Sequence, residues 1–130
     1  ALQSARQVSR VLVDGPERAG DSWDAAADRI IRSRPGVEGA LVRMWREALR
    51  TGADGLAADL VAASTAWQLD LADVTAHSHL FYGEDDTVVG MAHARWWACA
   101  LPDAELRVVR HAGHLVPLVV WPEILSAVVR

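Results

Sequence analysis

Two short stretches hold the side chains best suited to chemistry, Glu84-Asp85-Asp86 and His111-Ala112-Gly113-His114. A histidine held beside a carboxylate is an organised base. The carboxylate fixes one ring N–H, the other ring nitrogen can take a proton from a nucleophile, and the charge that forms on the ring is stabilised. Separation along the chain is no obstacle if the fold brings the two stretches side by side. Both stretches contain a glycine or follow one, which suits tight loops at the ends of strands.

The elements that must position these loops follow from local pattern. His77-Ser78-His79-Leu80-Phe81-Tyr82 reads as a strand ending at Gly83, and Glu105–Arg110 reads as a second, with alternation and β-branched residues. Between them, residues 90–101 place Met91, Ala94, Trp97, Ala98 and Leu101 on one helical face. Strand, helix, strand predicts a parallel pair with a right-handed crossover, and ligand sites of such sheets lie at the carboxyl ends of the strands. Pro122 suits the first turn of a last helix over 122–130, where its missing N–H costs nothing.

Upstream the pattern is helical. Val11-Leu12-Val13 could end a strand, and Asp14-Gly15-Pro16 reads as a turn. Asp21 or Ser22 can cap a helix over 23–33 that carries Trp23, Ala26, Ala27, Ile30 and Ile31. A second helix over 37–51 has Val37, Leu41, Met44, Trp45 and Ala48 on its apolar face, with Leu49 at its margin, and a third over 53–65 turns Leu56, Leu60 and Val61 inward. The chain therefore divides into a mostly helical cap or lid segment, 1–75, and a β-α-β-α segment, 76–130.

Composition narrows the function classes. The 130 residues carry 13 basic and 17 acidic groups, a net charge of −4, and 52% are apolar. All the basic residues are arginine. No basic stripe marks a nucleic-acid partner, and no apolar run approaches the length of a membrane span. The single cysteine, Cys99, excludes an internal disulfide and suits a cytoplasmic setting. Its expected role is that of a small buried residue.

Tyr82-Gly83-Glu84-Asp85-Asp86-Thr87-Val88-Val89 resembles the strand-end motif that carries the acid of α/β-hydrolases, with the acid three residues after the glycine. Ala112-Gly113-His114 resembles the loop that presents that family's histidine, and Leu101-Pro102-Asp103-Ala104-Glu105-Leu106 the lead into the last strand. The order acid-then-histidine also fits. Trp67-Gln68-Leu69-Asp70-Leu71 looks like the link from cap to sheet. The resemblance covers residues 55–130 well and the first 50 loosely; Gly90 stands where the family usually has proline. It implies an α/β fold formed by cap helices and the last β-α-β-α portion of a hydrolase sheet. It places the catalytic acid on Asp86, with Asp85 as rival, and the base on His114, with His111 as rival. Gly113, which permits a close approach, favours His114.

The family's nucleophile sits on a G-x-S-x-G elbow, and these residues contain none; Ala62-Ala63-Ser64-Thr65-Ala66 is the nearest imitation and lies in a helical pattern. With no initiator methionine either, the chain is expected to be a C-terminal piece of a hydrolase, inactive alone. The whole enzyme would cleave an ester or related acyl bond of a small-molecule substrate, with no cofactor and no metal. An aspartate nucleophile would instead make it a dehalogenase or epoxide hydrolase. The competing class is a non-catalytic helical interaction or dimerisation module with vestigial triad residues. A two-strand remnant exposes edges, so pairing with the missing half or self-association is expected. Asp85 and Glu84 read otherwise as turn residues and His93 as exposed. The tryptophans read as core or cap packing, with Trp23 and Trp45 as candidate pocket lining. His77 and His79 share one face of a strand, with no third metal ligand evident in the sequence.

Overall fold

A computed structural model describes residues 26–66 and 68–129. The expected strand end at 11–13, the turn at 14–16, the cap at Asp21 or Ser22, the roles of Trp23 and the link residue Trp67 lie outside the described residues. Within them the architecture is mixed α/β. The elements are α1 Ala26–Arg32, α2 Val37–Ala48, α3 Asp54–Ala63, a short 3-10 turn Leu71–Asp73, β1 Ser78–Gly83, α4 Met91–Ala100, β2 Ala104–Val109 and α5 Pro117–Val128. No helix among the described residues is long and apolar enough to cross a membrane.

Contacts group the described residues into two units. One unit holds residues 34–68; the other joins α1 to residues 69–129. In the first unit, α2 presents Val37, Leu41, Trp45 and Leu49 at four-residue spacing, all half-buried, with Val42 beside them. Met44 is exposed, as is Ala48, so the apolar stripe of α2 is rotated from the expected one. In α3, Ala57 is buried with Leu56, Leu60 and Val61 partly so.

The second unit is built on the parallel pair of β1 and β2, in register from Ser78 with Ala104 to Gly83 with Val109. Helix α4 connects them and carries its expected face: Ala94 is fully buried, and Met91, Trp97, Ala98 and Leu101 are half-buried. Gly90 precedes it at φ −70°, ψ 166°, a conformation that proline also adopts. Cys99, expected to be buried, is exposed. It lies five positions beyond Ala94, about 140° round the helix, away from the sheet. The tryptophans are less buried than core packing implies: Trp96 and Trp121 are exposed, Trp45 and Trp97 half-buried.

Helix α5 starts at Pro117 rather than at Pro122. Both prolines suit a first turn, and the helix uses both. Val120 departs from helical geometry at φ −115°, ψ 21°, and Pro122 opens the segment beyond that kink. Its ring cannot donate to the carbonyl of Leu118 and crowds it, which accounts for the break. Val116 and Val120 form a core with Ala112, against which Phe81, Val109, Val119 and Ile124 pack.

Candidate functional site

Strand β1 ends at Gly83 and β2 at Val109, so the loops that follow leave the same edge of the sheet. They are joined by backbone bonds. The Glu84 N–H donates to the Val109 carbonyl at 2.9 Å, and the Asp85 N–H donates to the Ala112 carbonyl at 2.9 Å. Gly83 makes this approach possible. A Cβ there would sit 2.7 Å from the Ala112 carbonyl carbon and closer still to the carbonyl oxygens of Ala112 and Gly113.

The carboxylate of Asp86 is held from two sides. Oδ1 accepts the N–H groups of Val88 at 2.8 Å and Val89 at 2.9 Å, a local turn that short acidic side chains favour. Oδ2 is then presented to His114, whose Nδ1 lies 3.0 Å away. A carboxylate oxygen only accepts, so Nδ1 carries the hydrogen of this bond. The Asp86 side chain is 5% exposed and that of His114 34%. The acid is thus enclosed while the ring keeps a solvent-facing part.

Of the residues singled out in the sequence, the structure brings Asp86 and His114 together and leaves their rivals outside. Asp85 and Glu84 are exposed; Asp85 contributes a backbone bond to the loop rather than its carboxylate. His111 is exposed with φ +56°, a left-handed turn position between β2 and the loop. Ser64 follows α3 as its C-cap and donates its hydroxyl to the Leu60 carbonyl at 2.6 Å, the ordinary bond of a helix end. His93 is exposed, with Nδ1 3.5 Å from the Tyr82 hydroxyl. The Tyr82 hydroxyl titrates above its ordinary value near 10.0, first because it is partly desolvated and second because the charge of Asp86 opposes another anion.

Asp28 was not legible as a site residue. It lies on α1, is 3% exposed, and accepts the N–H groups of His114 at 2.9 Å and Leu115 at 2.8 Å, one on each carboxylate oxygen. A Cβ on Gly113 would come within 2.6 Å of the Asp28 carboxyl carbon, so glycine is needed at 113 for this docking. The carboxylate therefore fixes the backbone that carries His114, while Asp86 fixes its ring. The only sequence signal was an acid among the apolar positions of a short helix, buried beside Ala27 and Ile31.

At the other end of the strands, His77 and His79 share a face as expected, with ring centroids 4.5 Å apart. Glu105, the partner of His79 in the strand register, stands beside them and offers a carboxylate oxygen within 4.8 Å of their ring nitrogens. Compared with known proteins, the chain matches no family model, no curated protein and no solved structure.

Proposed function

We propose that this chain supplies the acid and the base of an α/β-hydrolase triad, in an enzyme that cleaves an ester or related acyl bond. The observation that carries the reading is the Asp86–His114 bond at the carboxyl ends of two parallel strands, with the second oxygen of Asp86 already engaged by backbone N–H groups. The acid is oriented before any substrate arrives, and only one of its oxygens faces the ring. His114 Nε2 would take the proton from an attacking hydroxyl as it bonds to the acyl carbon. The imidazolium so formed, stabilised by Asp86, would return the proton to the leaving group. Nucleophile and oxyanion donors would come from a segment other than these residues, which lack a G-x-S-x-G elbow.

One observation favours association with another protein body. Leu118, Trp121, Leu125 and Val128 recur at helical spacing on α5 and are all exposed, Val128 by 78%. Such a stripe supports pairing with the remainder of a hydrolase or with a second copy.

The test uses the natural gene product that contains these residues. It should hydrolyse p-nitrophenyl esters, and His114→Ala and Asp86→Asn should each lower kcat by about 10⁴-fold without unfolding the protein. Hydrolysis that survives both substitutions would sink the proposal. A folded protein inert toward esters, haloalkanes and epoxides would favour the interaction module. The 130 residues alone should show no turnover dependent on Asp86 and His114.

A further inference from the structure

The amino ends of the two strands hold a second histidine–carboxylate group, remote from the loops of Asp86 and His114. His77, His79 and Glu105 each offer one ligand atom, and these atoms lie within 4.8 Å of one another. His79 Nδ1 is 3.5 Å from Glu105 Oε2. Two ligands on one tetrahedral zinc ion, each about 2.1 Å from the metal, are about 3.4 Å apart, so this pair already has the required spacing. His77 is exposed, so a side-chain rotation can bring its ring nitrogen to the same spacing.

His79 lies on β1 and His77 immediately precedes the strand, with the two rings 4.5 Å apart edge to face. The parallel register sets Glu105 beside His79. His77 is also oriented from outside the trio: its Nδ1 is 2.8 Å from Asp103 Oδ1. Because the carboxylate accepts, Nδ1 donates, and the lone pair of a neutral ring is directed to Nε2. This is the carboxylate–histidine relay by which metal ligands are held.

Charge is also suitable. Asp103 and Glu105 place two carboxylates beside the two imidazoles, and the nearest cation on that strand, Arg107, is paired with Glu123. We infer that His77, His79 and Glu105 form a binding site for a divalent transition-metal ion of the zinc class, oriented by Asp103 and bridging β1 to β2. Imidazole nitrogen with one carboxylate favours zinc, nickel or copper over calcium or magnesium, which prefer oxygen throughout. Three protein ligands leave at least one position for water.

Zinc chloride titrated into the full chain, followed by calorimetry at neutral pH, should show one saturable site. His77→Ala and His79→Ala should each weaken it by at least about tenfold, as should Glu105→Gln, and Asp103→Asn by about tenfold through loss of the orienting bond. His93→Ala, His111→Ala and Cys99→Ser should leave it unchanged. In the unsubstituted chain, zinc should shift the ring resonances of His77 and His79 ahead of those of His114, a reading that does not depend on any variant folding. Saturable binding that survives the His77→Ala/His79→Ala double variant would overturn the inference. So would zinc shifts centred on His93, His111 or His114, or no saturable binding at about millimolar zinc.

Discussion

At the carboxyl ends of β1 and β2, His114 meets Asp86; at the amino ends of the same strands, His77 meets Asp103 and His79 meets Glu105. The residue types are alike and the distances similar, but the surroundings differ. The Asp86 side chain is 5% exposed, whereas those of Asp103 and Glu105 are 61% and 67% exposed. Asp86 accepts two further bonds, from the Val88 and Val89 N–H groups, and the N–H groups of His114 and Leu115 are each bonded to Asp28. In the amino-end cluster, strand register fixes only His79 beside Glu105. A histidine–carboxylate pair is thus only a unit of local chemistry. The number of independent constraints on each partner separates the enclosed, fixed pair from the exposed, adaptable cluster.

The strongest way to break the comparison is to remove the constraint peculiar to the carboxyl end. Asp28→Ala leaves two N–H groups without their charged acceptor, and hydrogen bonds to a charged group contribute about 1.5–3 kcal/mol each. The expected loss of stability is about 4 kcal/mol, measured by urea denaturation. Asp28→Asn, which keeps one accepting oxygen, should lose about half as much. Where Asp28→Ala still folds, the His114 and Leu115 amides should exchange with solvent faster than those of β1. Exchange protection at both amides equal to the unsubstituted chain would show that Asp28 does not hold the loop.

Gly83→Ala tests the same end from the strand side. The added methyl meets the Ala112 and Gly113 carbonyls, and the backbone on both sides is already bonded. Overpacking of this kind costs about 1–3 kcal/mol, and the upper end is expected because the neighbours are main-chain atoms. The Nδ1 proton signal of His114 should shift as its distance to Asp86 changes. A fully stable Gly83→Ala protein with an unchanged His114 signal would remove the close approach from the account.

The outline of the second unit was legible because its signals are local and periodic. Met91, Ala94, Trp97, Ala98 and Leu101 repeat at helical spacing, and one side of α4 meets the sheet. The two loops followed from strand ends, a property of short segments, while the choice of Asp86 over Asp85 came from the resemblance to α/β-hydrolase motifs. Asp28 was not legible because its partners lie 86 and 87 positions away and nothing in α1 records them. Glu105 as a partner of His79 depended on strand register, which pattern alone did not supply. Pro117 and Pro122 both permit a helix start, and only packing around Val116 and Val120 shows that the earlier one is used. The buried position assumed for Cys99 came from residue type, although its angle from Ala94 pointed to solvent.

The smallest expected effect sharpens the comparison through Tyr82, which adjoins the enclosed end. Burial and the charge of Asp86 raise the pKa of its hydroxyl, so the folded chain holds that proton more tightly than the unfolded chain. Between the unfolded value near 10.0 and the higher folded one, unfolding releases a proton, and rising pH favours unfolding. The contribution is therefore complete below the unfolded value and lost as pH rises through the folded one. The chain has one tyrosine and no lysine, so few other groups obscure this limb. Urea midpoints at about pH 9 and about pH 11 should fall more for the unsubstituted chain than for Tyr82→Phe, which has no proton to release. Asp86→Asn should lessen the fall without abolishing it, since desolvation remains the larger cause. Equal declines in all three chains would mean that the enclosed end does not oppose a second negative charge, and that its difference from the exposed end lies in hydrogen bonding alone.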